Sequence, residues 1–314
     1  MNAANSGAPR WYGADEVAAA ISPARARELI ENALLEDFDP AEDPARVNTP
    51  AGEGHLLLMP SVIGKWAGIK VASVGPNNLQ HGRPRIQANY ILMDSLTLST
   101  QALMEGSLLT ALRTPAVSAA AVNKLAAPDA TTLLVFGTGL QAWSHIVAMA
   151  EIRELSEVWI SGRSEEKIQD LVTKAHGIGL SARAARPQDL AQADIIVCAT
   201  SAAEPLFDGT LVKDGTAVVA MGSHETDRRE LDSSLMGRAL VVVEDIGSAL
   251  REAGDVVLAI EEGTLKADSL LTLSELVRGN ISRANDKPNV FKGTGMSWQD
   301  LAVAVGVHDS GANS

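Results

Sequence analysis

The chain has 314 residues, of which 46% are hydrophobic, so it can bury a large core, and we predict two domains. Because no apolar run reaches about 18 residues, we predict no membrane span. Its formal net charge of −13 argues against nucleic acid as a partner, since phosphate binding needs a basic surface. The only cysteine, Cys198, excludes an internal disulfide and fits a reducing cytoplasm. The 6 histidines have no spacing typical of metal ligands, so we predict no metal.

The N-terminal part of the chain is predicted to form a small β-rich unit with helices. Residues 1–10 lack the apolar segment of a secretory signal, so we expect none. Ser22-Pro23 combines a capping side chain with proline at the first helical position, which is typical of a helix start. Pro60 is expected to end the first strand. Strands are predicted over residues 56–59, 68–74 and 86–93.

A lysine stands inside the second of these predicted strands. Alternation places Ile69 and Val71 on one face and Lys70 on the other. A lysine inside an apolar strand is costly unless it has a partner or a task. Lys70 is therefore either an edge-strand residue that reaches water or a functional group.

Thr114-Pro115 is predicted to separate two helices. A helical stretch through Arg113 should end there, and the cap-plus-proline pattern should start a second helix that continues to about Ala126. The N-terminus of that helix, with Arg113 beside it, would form an anion site. The alternative is an ordinary capped helix with a surface arginine.

From Thr132 onward, apolar strands alternate with helical sequence. This pattern predicts the fold class α/β, with a doubly wound parallel sheet of the Rossmann type. Gly137-Thr138-Gly139-Leu140-Gln141-Ala142 follows the first strand. Its first glycine allows a tight turn, its second lets the backbone approach a pyrophosphate, and Ala142 permits close packing. The alternative is a glycine turn of another βα unit. Strands are predicted at residues 132–136, 157–161, 193–198, 217–221 and 239–243, with a weaker one at 181–185.

The end of the second Rossmann strand indicates which dinucleotide binds. An acidic residue there favours NAD, whereas an arginine accommodates the 2′-phosphate of NADP. Gly162 is followed by Arg163 and Ser164, with Lys167 nearby. We therefore predict NADPH (NADP) as the preferred cofactor and NADH (NAD) as the alternative.

Two further segments lie at carboxyl ends of predicted strands, which is the ligand side of such a sheet. One contains Thr200, and the other runs from Met221 to His224. His224 is either a proton donor or merely a loop residue.

These segments together, in this order, resemble the ornithine cyclodeaminase/mu-crystallin family of NAD(P)-dependent enzymes from about Arg46 to about Ala304. The motifs that carry the resemblance are Arg46-Val, Leu58-Met-Pro60, Gly68-Ile-Lys70-Val, Leu109-Thr-Ala-Leu-Arg113-Thr, the segment from Gly137 to Ala142, Gly222-Ser-His with Arg229-Glu-Leu-Asp232, and Phe291-Lys-Gly-Thr-Gly-Met296. The resemblance implies a Rossmann domain at residues 115–292. It also implies a discontinuous α+β substrate-binding and dimerisation domain at 1–114, completed by 293–314, through whose β structure two subunits form a homodimer.

The resemblance also implies roles for individual residues. Arg46 and Arg113 would hold the substrate carboxylate, and Lys70 would lie at the reacting carbon and nitrogen; the catalytic candidates are Lys70 and His224. Guanidinium groups suit a carboxylate, and a lysine near a C=N group can exchange a proton while a nicotinamide transfers hydride. The implied cofactor contacts are Arg113, Thr114, Gly137, Thr138, Gly139, Leu140, Gln141, Arg163, Ser164, Thr200, Met221 and Lys292.

Three positions depart from ornithine cyclodeaminase itself. Leu57 and His224 stand where those enzymes carry acidic residues, and Arg85 replaces a small polar residue. Cyclodeamination must hold a second ammonium group, so the loss of two carboxylates argues against it.

We therefore predict NAD(P)H-dependent reduction of a small cyclic imino acid, such as Δ1-pyrroline-2-carboxylate or a related ketimine. The enzymatic alternatives are ornithine cyclodeaminase, alanine dehydrogenase and opine-type N-alkylation. A non-catalytic, crystallin-like ligand-binding protein is a further alternative. Retention of Lys70, Arg46 and Arg113 weighs against it, because a pure binder has no need of a lysine in an apolar strand.

Overall fold

The computed structural model describes residues 8–36 and 38–312. Most of the segment in which we expected no secretory signal, residues 1–10, lies outside this part. Among the described residues, no helix is both long and apolar enough to cross a membrane. The same residues contain no group of three or more His, Cys, Asp or Glu side chains that could hold a metal ion.

The strands and helices follow one another along the whole described chain. The strands are β1 (Arg10–Tyr12), β2 (Val47–Ala51), β3 (Gly54–Ile63), β4 (Trp66–Val74), β5 (Ile86–Asp94), β6 (Thr100–Glu105), β7 (Thr132–Phe136), β8 (Glu157–Ser161), β9 (Ala182–Ala184), β10 (Ile195–Cys198), β11 (Ala217–Ala220), β12 (Leu240–Val243), β13 (Leu271–Thr272) and β14 (Asn289–Lys292). The α-helices are α1 (Ala14–Ala20), α2 (Pro23–Leu35), α3 (Gly106–Leu125), α4 (Leu140–Ile152), α5 (Glu165–His176), α6 (Ser233–Arg238), α7 (Ile246–Glu252), α8 (Gly254–Glu261), α9 (Leu273–Val277) and α10 (Ser297–Ala312).

The chain divides into two compact units. The first contains the described residues of 1–33, 42–113 and 296–314, and the second contains Leu34–Ala41 and Thr114–Gly295. We predicted boundaries after residues 114 and 292, and the segment Leu34–Ala41 was expected in the first unit. Hydrogen bonds connect this segment to the second unit: the Arg278 Nε donates to the carbonyl of Leu34 at 2.8 Å, and Nη2 donates to that of Glu36 at 3.1 Å.

The first unit is built on a six-stranded sheet with the order β1-β6-β5-β4-β3-β2. Neighbouring strands are antiparallel except β1 and β6, which are parallel. Helix α10 packs on β3, β4 and β5. The face that carries Met59, Lys70 and Tyr90 is buried, whereas Ile69 and Val71 lie on the opposite, half-exposed face. The predicted alternation in this strand is confirmed.

The prediction that Pro60 ends a strand is wrong. β3 continues through Pro60, which pairs with Ile69 of β4. The pairing of β3 with β2 ends at Leu58, so β3 is an edge strand where Pro60 lies. Proline is tolerated in edge strands because the missing N–H then faces no partner.

The second unit is an eight-stranded parallel sheet with the order β13-β12-β14-β11-β10-β7-β8-β9. This doubly wound arrangement confirms the predicted α/β fold class. The strands predicted at residues 132–136 and 157–161 match β7 and β8, and the other predicted Rossmann strands are shorter than expected by one or two residues at one or both ends. β14 was not predicted, although it lies inside the sheet between β11 and β12.

The predicted helix boundary at Thr114-Pro115 is also wrong. α3 runs without interruption from Gly106 to Leu125 with Pro115 inside it. No helix N-terminus therefore exists at Thr114, and the anion site expected from such a terminus is lost. A proline inside a helix costs about 3 kcal/mol. Extensive burial of α3 around this point offsets that cost, since Ala111, Val117 and their neighbours are almost completely buried.

The glycine turn after β7 has the geometry that the sequence predicted. Gly137 has a φ of +123°, and a Cβ at this position would collide with the carbonyl oxygen of Ala199. That Cβ would also lie 3.6 Å from the Cβ of Ala142. Gly139 is the N-cap of α4 with a φ of −89°, and a Cβ there would meet nothing within 4 Å. Gly137 is thus required by the fold, whereas Gly139 leaves open space above the turn.

We predict that Gly137→Ala and Gly139→Ala have different effects. Gly137→Ala should lower the free energy of unfolding by about 1–3 kcal/mol, because it forces a collision at a strained φ. Gly139→Ala should change it by less than about 0.5 kcal/mol but weaken the binding of a dinucleotide, whose backbone approach it would obstruct. Urea denaturation and cofactor fluorescence titrations measure the two effects. Equal destabilisation by both substitutions would contradict this division of roles.

Candidate active site

Lys70 is buried at the centre of the first unit's sheet. It lies on β4, an inner strand, between Met59 of β3 and Tyr90 of β5. Only 3% of Lys70 is exposed, so the ammonium does not reach water and the edge-strand interpretation is wrong. A buried ammonium requires a partner.

Asp300, in the first turn of α10, is that partner. The Lys70 Nζ lies 2.8 Å from Asp300 Oδ2, and the carboxylate is fully buried. Asp300 Oδ1 lies 3.4 Å from the Nε of Arg113, whose Nη1 donates to Gln299 Oε1 at 2.9 Å. One carboxylate therefore contacts two residues that the sequence assigned to the substrate. We did not predict Asp300; the signal was a Gln-Asp pair directly before the apolar run of residues 301–305.

The charges around Lys70 set its protonation. Burial lowers the pKa of Lys70 from 10.5 to about 8, and the positive charges of Arg113 and Arg46 act in the same direction, whereas Asp300 raises it. The ammonium also donates to Thr110 Oγ1 of α3 at 3.3 Å. Lys70 is consequently protonated at neutral pH and can release a proton at a mildly higher pH.

The segment just before β2 brings a further cation and a carboxyl group to this region. Arg46 is half-buried, and its charge acts on Lys70. Burial raises the pKa of Asp43 to about 6, and its Oδ2 accepts a hydrogen bond from the backbone N–H of Trp298 at 3.0 Å. Among the described residues, three cations, Arg46, Lys70 and Arg113, thus lie together in this region. A cluster of cations favours an anionic ligand.

Tyr90 fills the space beside Lys70. Its side chain is fully buried, and its hydroxyl makes no hydrogen bond to a described residue. Burial, followed by the charges of Asp300 and Asp43, holds the pKa of Tyr90 well above its usual range. A Cβ on Gly68 would collide with the Tyr90 hydroxyl. Gly68, two residues before Lys70, therefore makes room for the neutral phenol of Tyr90 at the site.

Leu57 and Arg85 depart from the family pattern, and the structure shows where each lies. Leu57 is on β3 opposite Ala72 of β4, on the same face as Lys70. This face offers an apolar side chain where a cyclodeaminase would carry a carboxylate. Arg85 is exposed before β5, and its carbonyl accepts a hydrogen bond from Gly75 at 2.9 Å.

In the second unit, the structure brings the predicted cofactor residues to one edge of the sheet. The glycine turn follows β7, Arg163 and Ser164 follow β8, Thr200 follows β10, and Met221 follows β11. The carboxyl ends of parallel strands share an edge, where doubly wound folds bind ligands. Arg113 and Thr114 are consecutive residues of α3.

This edge fits a dinucleotide. The Oε1 of Gln141, in the first turn of α4, is buried without a hydrogen-bond partner in the described chain. Arg163 is exposed, and β8 ends at Ser161 instead of an acidic residue. The Oγ of Ser164 accepts a hydrogen bond from the backbone N–H of Lys167 at 3.4 Å as the N-cap of α5. An exposed guanidinium without a neighbouring strand-end carboxylate suits a 2′-phosphate.

A buried carboxylate joins two loops at this edge. Glu230 Oε1 accepts hydrogen bonds from the backbone N–H of Thr200 at 2.8 Å and from its Oγ1 at 2.7 Å. Glu230 Oε2 accepts one from the N–H of Gly222 at 2.7 Å. Burial raises the pKa of Glu230, while Lys292 and these hydrogen bonds lower it. Glu230, which we did not single out, therefore fixes the loops after β10 and β11 relative to each other.

Lys292 supports the same loops from within the second unit. Lys292 was predicted to contact the cofactor; its ammonium is completely buried, 3.0 Å from Asp255 Oδ2, and donates to the carbonyl of Ser223. Asp255 Oδ1 in turn accepts from the backbone N–H groups of Glu230 and Leu231 at 2.7 and 2.8 Å. His224, which follows Ser223 in the loop after β11, is exposed.

Comparison with known proteins places this architecture among characterised enzymes. A ketimine reductase mu-crystallin from Rattus norvegicus is 31% identical over 312 residues, covering 96% of this chain and 97% of that protein. A Δ1-pyrroline-2-carboxylate reductase from Bacillus thuringiensis is 36% identical over 271 residues, covering 82% of each. The structure of a Δ1-pyrroline-2-carboxylate reductase from Thermococcus litoralis, in complex with NADH and L-proline, is similar with a TM-score of 0.90 and 26% identity, covering 97% of this chain and 98% of that one.

The family model reaches across almost the whole chain. It matches residues 14–314, a span that includes the lysine strand, the glycine turn, the Glu230 loop and α10. The sequence resemblance is therefore confirmed at the level of the entire fold. The chain belongs to the ornithine cyclodeaminase/mu-crystallin family.

Proposed function

We propose that the protein is an NAD(P)-dependent oxidoreductase that reduces a small cyclic imino acid to the cyclic amino acid. The observation that carries this proposal is the cationic cluster formed by buried Lys70 and Arg113 with half-buried Arg46, in a chain whose net charge is −13. A local cationic cluster in an acidic protein suits an anionic ligand. The Δ1-pyrroline-2-carboxylate reductases among the relatives support the same substrate class.

The two arginines bind the substrate carboxylate in this proposal. A guanidinium matches the geometry of a carboxylate with paired hydrogen bonds. Arg113 is positioned by α10 through Gln299 and Asp300. Because the carboxylate of a cyclic imino acid is attached to the imine carbon, fixing the carboxylate also fixes the reacting atom.

Lys70 serves the imine nitrogen. Reduction adds a hydride to the imine carbon and a proton to the nitrogen, and the bound reduced nicotinamide supplies the hydride. A pKa of about 8 keeps Lys70 protonated at neutral pH and close enough to neutrality for proton transfer. Lys70 therefore hydrogen-bonds the nitrogen and donates the proton; His224, exposed after β11, is the other proposed proton source.

Leu57 argues against the alternative of ornithine cyclodeamination. It lies on the Lys70 face of β3, in a region that already contains three cations. A second ammonium group on the substrate would find no carboxylate at this position. An unpaired buried charge costs several kcal/mol, so ornithine is a poor substrate in this proposal.

A reducing compartment such as the cytoplasm suits a chain whose only cysteine, Cys198, is buried and free.

The outer face of the first unit's sheet suits a second copy of the chain. Ile69, Val71 and Ile91 are half-exposed on this face, and Val62 and Trp11 are 55% and 48% exposed. An apolar face of this kind marks a protein interface, so we propose a homodimer formed through it.

The first prediction compares substrates. The wild type should oxidise NAD(P)H with Δ1-pyrroline-2-carboxylate and release ammonia from ornithine at least about 100-fold more slowly, as a penalty of several kcal/mol requires. Arg46→Ala, Arg113→Ala and Lys70→Ala should each lower kcat/KM for imine reduction at least about tenfold. Lys65→Ala, which removes an exposed lysine in the turn before β4, is the control. Rapid ammonia release without imine reduction would contradict the proposal.

The second prediction concerns cofactor preference. NADPH should bind more tightly than NADH, because Arg163 and Ser164 meet the 2′-phosphate and no acidic residue ends β8. Arg163→Ala should lose at least about tenfold in NADPH affinity and little in NADH affinity. Arg251→Ala, which removes an exposed arginine in the last turn of α7, serves as the control. Tighter binding of NADH by the wild type, or equal losses for both cofactors, would show the assignment to be wrong.

The third prediction concerns assembly. Val71→Asp puts a carboxylate in the proposed interface and should convert the dimer into a monomer, which light scattering after size exclusion detects. Leu96→Asp makes the same kind of change at a turn residue that is 90% exposed and should leave the dimer intact. A monomeric wild type, or a dimer that persists in Val71→Asp, would exclude this interface.

A further inference from the structure

The first turn of α10 contains a buried polar pair that the sequence did not assign to any task. Gln299 and Asp300 are completely buried and are followed by the apolar run Leu301-Ala-Val-Ala-Val. Polar side chains in such surroundings are costly unless their hydrogen bonds are satisfied. Both side chains are directed at cations: Gln299 accepts from Arg113, and Asp300 contacts Lys70 and Arg113.

The groups around Lys70 leave Asp300 as its dominant anionic partner. From α3, Thr110 and Arg113 face Lys70, and Arg46 acts on it from the segment before β2. Met59 of β3 and Tyr90 of β5 flank it in the sheet, and burial keeps Tyr90 neutral. The other nearby carboxyl group, Asp43, interacts with Trp298 and Ser61. Burial and both arginines therefore favour the neutral amine, and Asp300 opposes them.

We propose that Asp300 is a positioning residue for the site that binds the imine. Its carboxylate, shared between two cations, keeps Lys70 protonated and holds the Lys70 ammonium and the Arg113 guanidinium in one fixed arrangement. This inference deepens the proposed function and rests on it for the role of the two cations. The geometry supports it directly, because the two carboxylate oxygens contact different cations, Oδ2 contacting Lys70 at 2.8 Å and Oδ1 contacting Arg113 at 3.4 Å. A carboxylate that only stabilised the helix would not need to contact both.

The sign of the expected pH effect follows from these charges. Removal of the Asp300 charge leaves burial, Arg113 and Arg46 acting on Lys70, so its pKa must fall. Imine reduction requires protonated Lys70, and kcat/KM therefore decreases as the pH rises through this pKa. In Asp300→Asn the decrease should begin at a pH lower by about one unit or more, the size expected for losing a close opposite charge. Asp300→Glu keeps the charge and should keep the position of the decrease, even at a lower maximal rate.

A measurement independent of catalysis tests the same claim. Lysine labelled with 13C at Cε reports its titration by NMR, and Lys70→Arg identifies the Lys70 signal by its disappearance. We expect Lys70 to titrate above pH 7 in the wild type, and lower by about one pH unit or more in Asp300→Asn. Asp94→Asn, which removes a half-buried carboxylate at the end of β5 in the same sheet, is the matched control and should leave the titration unchanged.

The possible outcomes separate this proposal from the proposed function. A wild type that reduces no cyclic imine would refute the proposed function, whereas the NMR titration would still decide the role of Asp300. Identical Lys70 titration in wild type and Asp300→Asn would overturn the role of Asp300. If Asp300→Asn does not fold, a wild-type Lys70 that titrates below pH 7 would likewise overturn the proposed role of Asp300. Equal loss of turnover in Asp300→Asn and Asp300→Glu, with unchanged pH profiles, would indicate a merely structural residue.

Discussion

The burial of one ammonium group determines how the first unit is built. Lys70 lies in an inner strand with 3% exposure, and an unpaired charge at such a position costs several kcal/mol. Its counter-ion comes from the far end of the sequence, on α10, which packs against the same strands. The discontinuity of this unit thus has a physical reason: the C-terminal helix supplies the carboxylate without which the central strand could not keep its lysine.

In the second unit, buried carboxylates pair with backbone N–H groups. Glu230 and Asp255 are buried carboxylates that accept hydrogen bonds from backbone N–H groups of the loops, and the Lys292 ammonium contacts Asp255. The hydrogen bonds of Glu230 connect the loop after β10 to the loop after β11. The loops after β10 and β11 are therefore held in a fixed arrangement at the carboxyl edge of the sheet.

The two networks differ in the sign of the charge that they gather. Around Lys70, three cations lie together in the described part of the first unit, which suits the binding of an anion. Around Lys292, two buried carboxylates, Glu230 and Asp255, outnumber the one ammonium, so that cluster does not attract an anion. This difference explains why, of two buried lysines, Lys70 is assigned to chemistry and Lys292 to support. It also shows that burial alone does not identify a functional lysine.

The sequence by itself determined the local features: the glycine turn, the strands β7 and β8, and the alternation around Lys70, because each depends on neighbouring residues alone. Family motifs extended this to the overall fold and to the candidate site. Only the tertiary structure decided that Pro115 lies inside a helix, that β14 enters the sheet between β11 and β12, and that Asp300 pairs with Lys70. These features depend on packing and charge pairing between segments far apart in the chain. Such long-range interactions outweigh local preferences of a few kcal/mol and leave little trace in the residues nearby.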